Sequence, residues 1–348
     1  MAIIDKPSDY FETILYSGNG GTQSISNLDF QPNWVWLKQR TGTTWHNLYD
    51  SQRGATKSVA SNAADGEDTR STGLTAFGSN GFSLGADANV NAGGGSTYVS
   101  WNWKAGTAIS NNAGSPTGTS LASSGSVNTD AGFSVVTYAS NGNNYTVPHG
   151  LGVAPNVVIV KNRSISKYWA VYHSSLGNTK STFLDTAAIA DADATYWQNT
   201  TPSSTVFSVG TNSGNNSGNA MVAYSFAEKQ GYSKFSSYEG NGNANGTFVY
   251  TGFKPAFIMN KGSENASSWC ITDVENSPFN DGSLEFFKAN KPDAQSSRSN
   301  YDILSNGFKM RTTDADYNGS GNKYIYLAFA KNPFVTSTDN GSIPATAR

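Results

Sequence analysis

The sequence is short of charge, cysteine and long apolar runs. Asp, Glu, Lys and Arg make up 14% of its 348 residues, against roughly 25% in an average soluble domain. They also nearly cancel, 23 basic against 25 acidic, for a net charge of −2. No Lys/Arg cluster is present, which argues against nucleic-acid binding through phosphate charge. A single cysteine, Cys270, has no intrachain partner, so a disulfide scaffold is excluded. No apolar run approaches the roughly 20 residues of a membrane span, and no heptad or collagen-like shaft occurs. The start, Met1-Ala-Ile-Ile-Asp-Lys-Pro7, lacks the apolar stretch of a signal peptide.

What is present is glycine, asparagine and aromatic side chains. There are 36 Gly and 37 Asn, about a fifth of the chain, and 8 Trp, 17 Tyr and 18 Phe. Forty-three aromatics suffice for a packed core, so the chain is not a disordered polar polymer. Short aromatic and β-branched runs punctuated by Gly/Asn/Ser turns predict an all-β fold.

A threefold internal repeat organises these runs. Each copy opens on an aromatic strand entering a Gly/Asn turn: Phe11 to Tyr16, Phe133 to Tyr138 and Tyr232 to Tyr238. A proline follows 16 or 17 residues later and starts a strand that ends in lysine. The copies are Pro32-Asn-Trp-Val-Trp-Leu-Lys38, Pro155-Asn-Val-Val-Ile-Val-Lys161 and Pro255-Ala-Phe-Ile-Met-Asn-Lys261. Trp45, Trp169 and Trp269 come seven or eight residues after the lysines. Phe-containing strands (around Phe82, Phe207 and Phe308) and aromatic closing strands (Tyr98 to Trp103, Met221 to Phe226, Tyr324 to Phe329) complete each copy. Apolar residues on both parities, as in Val157 to Val160, predict strands buried on both faces.

The expected fold is therefore all-β: three tandem β-sandwich, jelly-roll-like repeats of about 100 residues. Their expected bounds are 1–105, 131–229 and 230–334, with a Gly/Ser/Asn-rich linker at 106–130 and a polar C-terminal tail at 335–348. The long linker marks the first repeat as the one set apart. An alternative is that the repeats close into one larger pseudo-threefold body. Thr182 to Ala194 reads as a helix or as a loop with one helical turn.

The repeated phrases resemble a family of tail-fibre or fibre-like virion proteins common in marine phages, including cyanophages. The matching phrases include Asp5-Lys-Pro-Ser-Asp-Tyr10-Phe11, Phe30-Gln-Pro-Asn-Trp-Val-Trp-Leu-Lys38, Asp50-Ser-Gln-Arg-Gly-Ala-Thr-Lys57, Ser100-Trp-Asn-Trp-Lys-Ala-Gly106, His149-Gly-Leu-Gly-Val-Ala-Pro155 and Gly231-Tyr-Ser-Lys-Phe235. The resemblance implies a virion component made in a bacterial cytoplasm, displayed on the particle exterior and often oligomeric. It brings no catalytic residue set with it. Expected partners are other virion proteins, a host-surface glycan or protein, and further copies of the chain, a trimer above all; nucleic acid and membrane insertion are not expected. The expected role is that of a tail fibre or receptor-binding protein. Capsid decoration or a head fibre is the alternative, and a surface-glycan depolymerase a second one.

Residues with chemical potential read as structural. His46, His173 and Asp273 are expected at one repeated strand end, as hydrogen-bonding groups. Cys270 reads as a small buried hydrophobe. The pairs Glu67/Asp68, Asp191/Asp193, Asp314/Asp316 and Glu275/Asp281 could flank a glycosidic bond, but no apolar pocket is evident around them. Asp314-Ala-Asp316-Tyr-Asn318 is a fragment of a calcium-loop pattern without its Gly and terminal Glu. No catalytic residue, metal or cofactor is assigned. Lys38, Lys161 and Lys261 read as stems that pack while their ammonium groups reach water. For binding, aromatic and amide loops suit sugar rings. Tyr196, Trp197, Gln198 and Asn199, with Asn144 and Tyr145, are the expected exposed residues.

Overall fold

The computed structural model describes residues 3–333 apart from 213, 278, 279 and 281. The tail at 335–348 and Asp281 therefore lie outside the described residues. The chain is nearly all-β, 43% strand and 3% helix, in several antiparallel sheets. Three are large, one from each third of the chain. In the first segment the spatial order is Phe11–Ser17, Thr97–Trp103, Trp34–Gln39, Asn47–Asp50, Lys57–Ala60 and Asp68–Thr69. The third segment repeats that order with Ser233–Glu239, Lys323–Pro333, Phe253–Gly262, Cys270–Asp273, Leu284–Lys288 and Ser296–Arg298. The second has Phe133–Ala139, Ala220–Phe226, Val157–Asn162, Ala170–His173 and Thr182–Phe183 in the same order. In each, the closing strand lies between the opening strand and the lysine strand.

That central placement explains the two-sided apolar runs. Trp34 and Trp36 face one way, into a core shared by all three segments, while Val35 and Leu37 face a small sheet of their own segment. That small sheet holds Gln23–Ile25, Gly81–Leu84 and Leu74–Gly78. Tyr145–Pro148 pairs with Val206–Val209 in the second segment, and Phe248–Tyr250, Gly307–Met310 and Tyr301–Leu304 form the small sheet of the third. The lysine strands do not all start at proline. Pro32 and Pro155 precede their strands, whereas Pro255 sits inside Phe253–Gly262 at an irregularity in register, where a missing N–H is tolerated.

The shared core overturns the expectation that the first segment stands apart. Trp34 lies with its ring centre 4.5 Å from Trp103 of its own segment and 4.5 Å from Tyr224 of the second. Phe11 stacks on Phe329 of the third at 5.1 Å, and Phe226 of the second meets the same Phe329 at 5.9 Å. Such pairs contribute about 0.5–1.5 kcal/mol each beyond the area they bury.

Residues 106–130, expected as linker, contain two strands, Thr107–Asn111 and Ser123–Asn128, which extend the second large sheet beyond Phe133–Ala139. Gly125 is what permits the close approach, since a Cβ there would meet Val135 O at 2.2 Å. Between these strands Ser120 bridges in parallel to Thr146, covering the edge of Tyr145–Pro148. Thr182 to Ala194 is not a helix: Thr182–Phe183 is strand, and a single turn begins only at Ala194–Trp197, capped by Asp193.

Buried asparagines pin the turn after each opening strand. Asn91 Nδ2 donates to Gly21 O at 2.7 Å and Gly85 O at 2.9 Å while its Oδ1 accepts from Asn19 N. Asn215 does the same with Asn143 O, Gly210 O and Gly142 N. Asn318 does so with Asn243 O, Thr312 O and Asn241 N. Replacing Asn318 by Ala orphans several buried groups at once. The expected cost is about 2–4 kcal/mol, read as a lowered urea midpoint with unchanged slope. Asn306→Ala, outside this arrangement, serves as the control.

Candidate functional site

The densest chemistry lies at the three seams where the segments meet, and it recurs in rotation. Lys38, Lys161 and Lys261 are all fully buried, so the expectation that their ammonium groups reach water is wrong. Each Nζ donates to a carbonyl of its own segment and to one of a neighbour. Lys38 bonds Gln39 O at 3.0 Å and Pro292 O of the third segment at 3.1 Å. Lys161 bonds Lys167 O at 2.6 Å and Ala64 O of the first at 2.6 Å. Lys261 bonds Gly262 O at 2.7 Å and Ala187 O of the second at 3.5 Å. Burial pushes all three down to about 8.

Main-chain bonds close the same circuit. Glu67 N donates to Arg163 O at 2.8 Å, Ala190 N to Ser263 O at 3.0 Å, and Gln295 N to Arg40 O at 2.9 Å. Side chains reinforce two of these. Arg163 grips Glu67 with two bonds of 2.8 and 2.9 Å, and Arg40 Nε donates to Gln295 Oε1 at 2.8 Å. Glu67 also faces the fully buried Arg53, which pairs with Asp50.

The repeated strand-end position is occupied by Asp50, His173 and Asp273, which lie opposite Trp34, Val157 and Phe257 in register. His46 is therefore not part of that set. It takes the place of Trp169 and Trp269, one residue after the exposed Trp45. At the strand end, one atom caps the local turn, accepting from Gln52 N, Ser175 N and Glu275 N respectively. The other crosses a seam. Tyr224 donates to Asp50 at 2.7 Å, and Trp101 Nε1 and Thr13 donate to Asp273 at 2.9 and 2.6 Å. The third closing strand offers Leu327 where Trp101 and Tyr224 stand. With no side-chain donor there, the partner is His173, whose Nε2 reaches the Tyr326 carbonyl at 3.3 Å. A general base would need a free lone pair toward a cleft; these groups are spent inside the body.

Trp169 and Trp269 also cross seams, donating to Ala60 O at 2.9 Å and Phe183 O at 2.8 Å. Cys270 is fully buried, and burial pushes its thiol up to about 12, as suits an inert core residue. Most of the described carboxylates of the expected pairs are also committed. Asp68 pairs with Arg70, Asp314 with Arg298, Asp316 with Lys288 and Glu275 with Lys331, while Asp193 caps the turn at Thr195 and the main chain of Asp191 bridges to Ser181. Among the described residues no three His, Cys, Asp or Glu side chains are grouped to hold a metal.

The expected exposed aromatic pair is not exposed. Trp197 retains 1% of its accessible surface and Tyr196 7%. The turn from Ala194 swings Trp197 onto Tyr172 and Tyr196 onto Phe183, and Tyr145 is buried against Tyr138. Gln198 is half-buried and ties Tyr145 O and Val209 O together. Only Asn144 and Asn199 reach solvent fully.

Among the described residues, the large aromatics most exposed to solvent are others: Trp45, Tyr168, Phe248 and Tyr250. Tyr168 flanks a cavity of about 410 Å³ on the seam between first and second segments, with Tyr196, Lys167 and Asn212. Tyr250 flanks a groove of about 540 Å³ with Gly231, Ser233, Lys234 and Gly252. No composition rule separates these exposed rings from buried ones. Comparing the copies does: Phe248 and Tyr250 stand where the first copy has Ser24 and Ser26.

Taken together, the protein is of the all-β class, its antiparallel sheets closed on a common core. It belongs to the family described as a domain of unknown function, DUF7483, whose model matches residues 6–333. No curated protein matches the chain.

Lys161→Met keeps the packed stem but leaves Lys167 O without its donor, so it is expected to lower stability by about 1–3 kcal/mol. Lys323→Met, at an exposed lysine, should stay within about 0.5 kcal/mol; urea melts compare the two. Acid should also weaken the fold. Burial pushes His149 and His173 down to about 4 and His46 well below its ordinary value. Between about pH 6.5 and 4 the unfolded chain then binds protons that the folded chain refuses, so stability falls as pH is lowered through that window. Asp273, pushed up to about 6 by burial, acts in the opposite sense, as do Asp185 and Glu12, which burial also raises, so the three carboxyl groups offset part of the loss. His173→Gln retains a donor and should flatten the pH dependence of the urea midpoint between pH 6.5 and 4.

Proposed function

We propose that the chain is a non-catalytic structural and adhesive protein on the exterior of a phage particle, in first place a tail fibre or receptor-binding protein. Its three segments are read as tandem jelly-roll-like sandwiches fused into one rigid head. The observation that carries the non-catalytic part is the fate of the buried polar groups. The three strand-end lysines, His173 and the strand-end aspartates are spent on seam bonds or turns, which stiffen a scaffold and leave function to the surface. The sequence resemblance of the repeated phrases supports the virion assignment. Low net charge and solvent-facing Trp45, Tyr168, Phe248 and Tyr250 suit contact with a host-surface glycan or protein through stacking and amide hydrogen bonds.

A capsid decoration or head fibre is the second reading. The chain closes three sheets by itself, so a threefold arrangement exists within one copy. Such a body can sit on a threefold position of a shell without forming a homotrimer first.

Antibody labelling of intact particles, viewed by electron microscopy, tests the reading. Label at the tail is expected, with the purified protein reducing particle adsorption to host cells in proportion to dose. Label on capsomers moves the protein to the second reading. Absence from purified particles by mass spectrometry contradicts both.

A further inference from the structure

Tyr168 stands one residue before the buried seam tryptophan Trp169. Its counterparts in the other copies are Trp45, before His46, and Ser268, before Trp269. The three copies treat this position differently. In the third, Ser268 is buried and its N–H donates to Asp316 Oδ1 at 2.9 Å, a carboxylate that Lys288 also holds at 2.8 Å. In the first, Arg70 Cζ lies over the Trp45 ring, 5.6 Å from its centre, and Asp68 and Asp87 fix the guanidinium at 3.3 and 3.2 Å. In the second, Tyr168 stands 56% exposed. A further ring joins it in that copy. Gly210 N donates to Tyr196 O at 2.8 Å, as Gly85 N does to Gly73 O and Arg311 N to Asn300 O. Tyr196 therefore occupies the place of a glycine in the first copy and an asparagine in the third.

Both rings border the cleft of about 410 Å³, together with Ala64 of the first segment and Ser166, Lys167 and Asn212 of the second. That volume lies in the range of small-ligand sites, about 300–1,000 Å³. The walls are held firmly. Lys167 N donates to Ala64 O at 2.8 Å, and the buried Lys161 Nζ donates to both Ala64 O and Lys167 O at 2.6 Å. Phe183 supports both rings, its centre 5.4 Å from that of Tyr168 and 5.4 Å from that of Tyr196. Asn212 is tied by its N–H to Thr195 O at 2.9 Å and by Nδ2 to Asp193 Oδ2 at 3.1 Å. The Lys167 stem passes over Gly214, where a Cβ would lie 2.8 Å from Lys167 Cγ. Groups fixed in advance lower the ordering cost of binding.

We propose, resting on the adhesive reading above, that this seam cleft is a saccharide subsite that takes one pyranose unit, stacked on Tyr168 and hydrogen-bonded by the polar walls. Chemistry selects the ligand class. A pyranose offers a face of positively polarised C–H bonds to the electron-rich face of a phenol ring, and a rim of hydroxyls that both donate and accept. The hydroxyl of Ser166, the amide of Asn212 and the ammonium of Lys167 suit such a rim. Burial, with the charges of Asp191 and Asp193 nearby, pushes the Tyr196 phenol up to about 12, so it stays a donor in neutral solution. Lys167 is the only cation among the described lining residues, and the two aspartates near Tyr196 disfavour a phosphate or nucleic acid.

Saturation-transfer NMR on the full chain tests the subsite, with the methyl glycosides of glucose, galactose, mannose, rhamnose and N-acetylglucosamine as probes. Stacking reads the C–H face of the ring, so transfer to at least one probe is expected, strongest at the ring protons. Tyr168→Ala should reduce that transfer about tenfold, while Tyr168→Phe, which keeps the ring, should retain it within about threefold. Should Tyr168→Ala fail to fold, Ser166→Trp fills the cleft from an exposed wall position and should abolish transfer. Transfer to none of the probes, or transfer unchanged in Tyr168→Ala or Ser166→Trp, overturns the subsite. Host adsorption separates this outcome from the wider reading. Protein that blocks adsorption yet takes none of the probes keeps the adhesive role and loses the subsite. Protein that binds a probe through Tyr168 yet leaves adsorption unchanged keeps the subsite and loses the adhesive role.

Discussion

A sheet with two apolar faces needs cover on both sides, and here each large sheet finds its second cover in the other two. Trp34, Trp103, Tyr224, Phe226, Phe257 and Phe329 come from all three segments and enclose one volume. None of these sheets can be removed without baring the inner faces of the others. This mutual burial is the constraint on which the rest depends, since it brings the strand ends together and forces their polar groups to find partners across a seam.

The seam chemistry follows from that enforced closeness. A buried ammonium is costly unless it is hydrogen-bonded, and each of the three lysines meets carbonyls from two segments. The strand-end position shows the same logic with different residues. Aspartate stands opposite a Trp or Tyr donor, while histidine stands opposite a strand where Leu327 offers none. Non-identical copies thus keep the geometry of a bond while exchanging which side donates. The seam between first and second segments is the most heavily charged, through Arg53, Asp50, Glu67 and Arg163. That between second and third has Ala190 and Ser263 at the matching place.

Much of the fold was legible because it is periodic. The order of opening strand, lysine strand, Phe-containing strand and closing strand is visible in the residues themselves, and Val157 to Val160 announced burial on both faces. What lay outside the sequence pattern was the destination of each face. Lys38 reads like any strand-end lysine until Pro292, 254 positions away, is seen to receive it. Trp197 reads as a loop residue because the turn that buries it is only four residues long, too short to leave a periodic signal. The polar stretch at 106–130 hides two strands, since Gly125 and Ser126 pair through the main chain and offer no apolar alternation. Trp45 hides the register of His46, because it follows its lysine by seven rather than eight residues, which exchanges the inward and outward positions.

The central claim is that three sequence copies form one cooperative body. Differential scanning calorimetry of the whole chain tests it most directly. A shared core predicts a single transition whose calorimetric enthalpy equals its van't Hoff enthalpy, and Trp103→Ala should lower that transition as a whole. Two or three separable transitions, with only one of them moved by Trp103→Ala, would contradict the account.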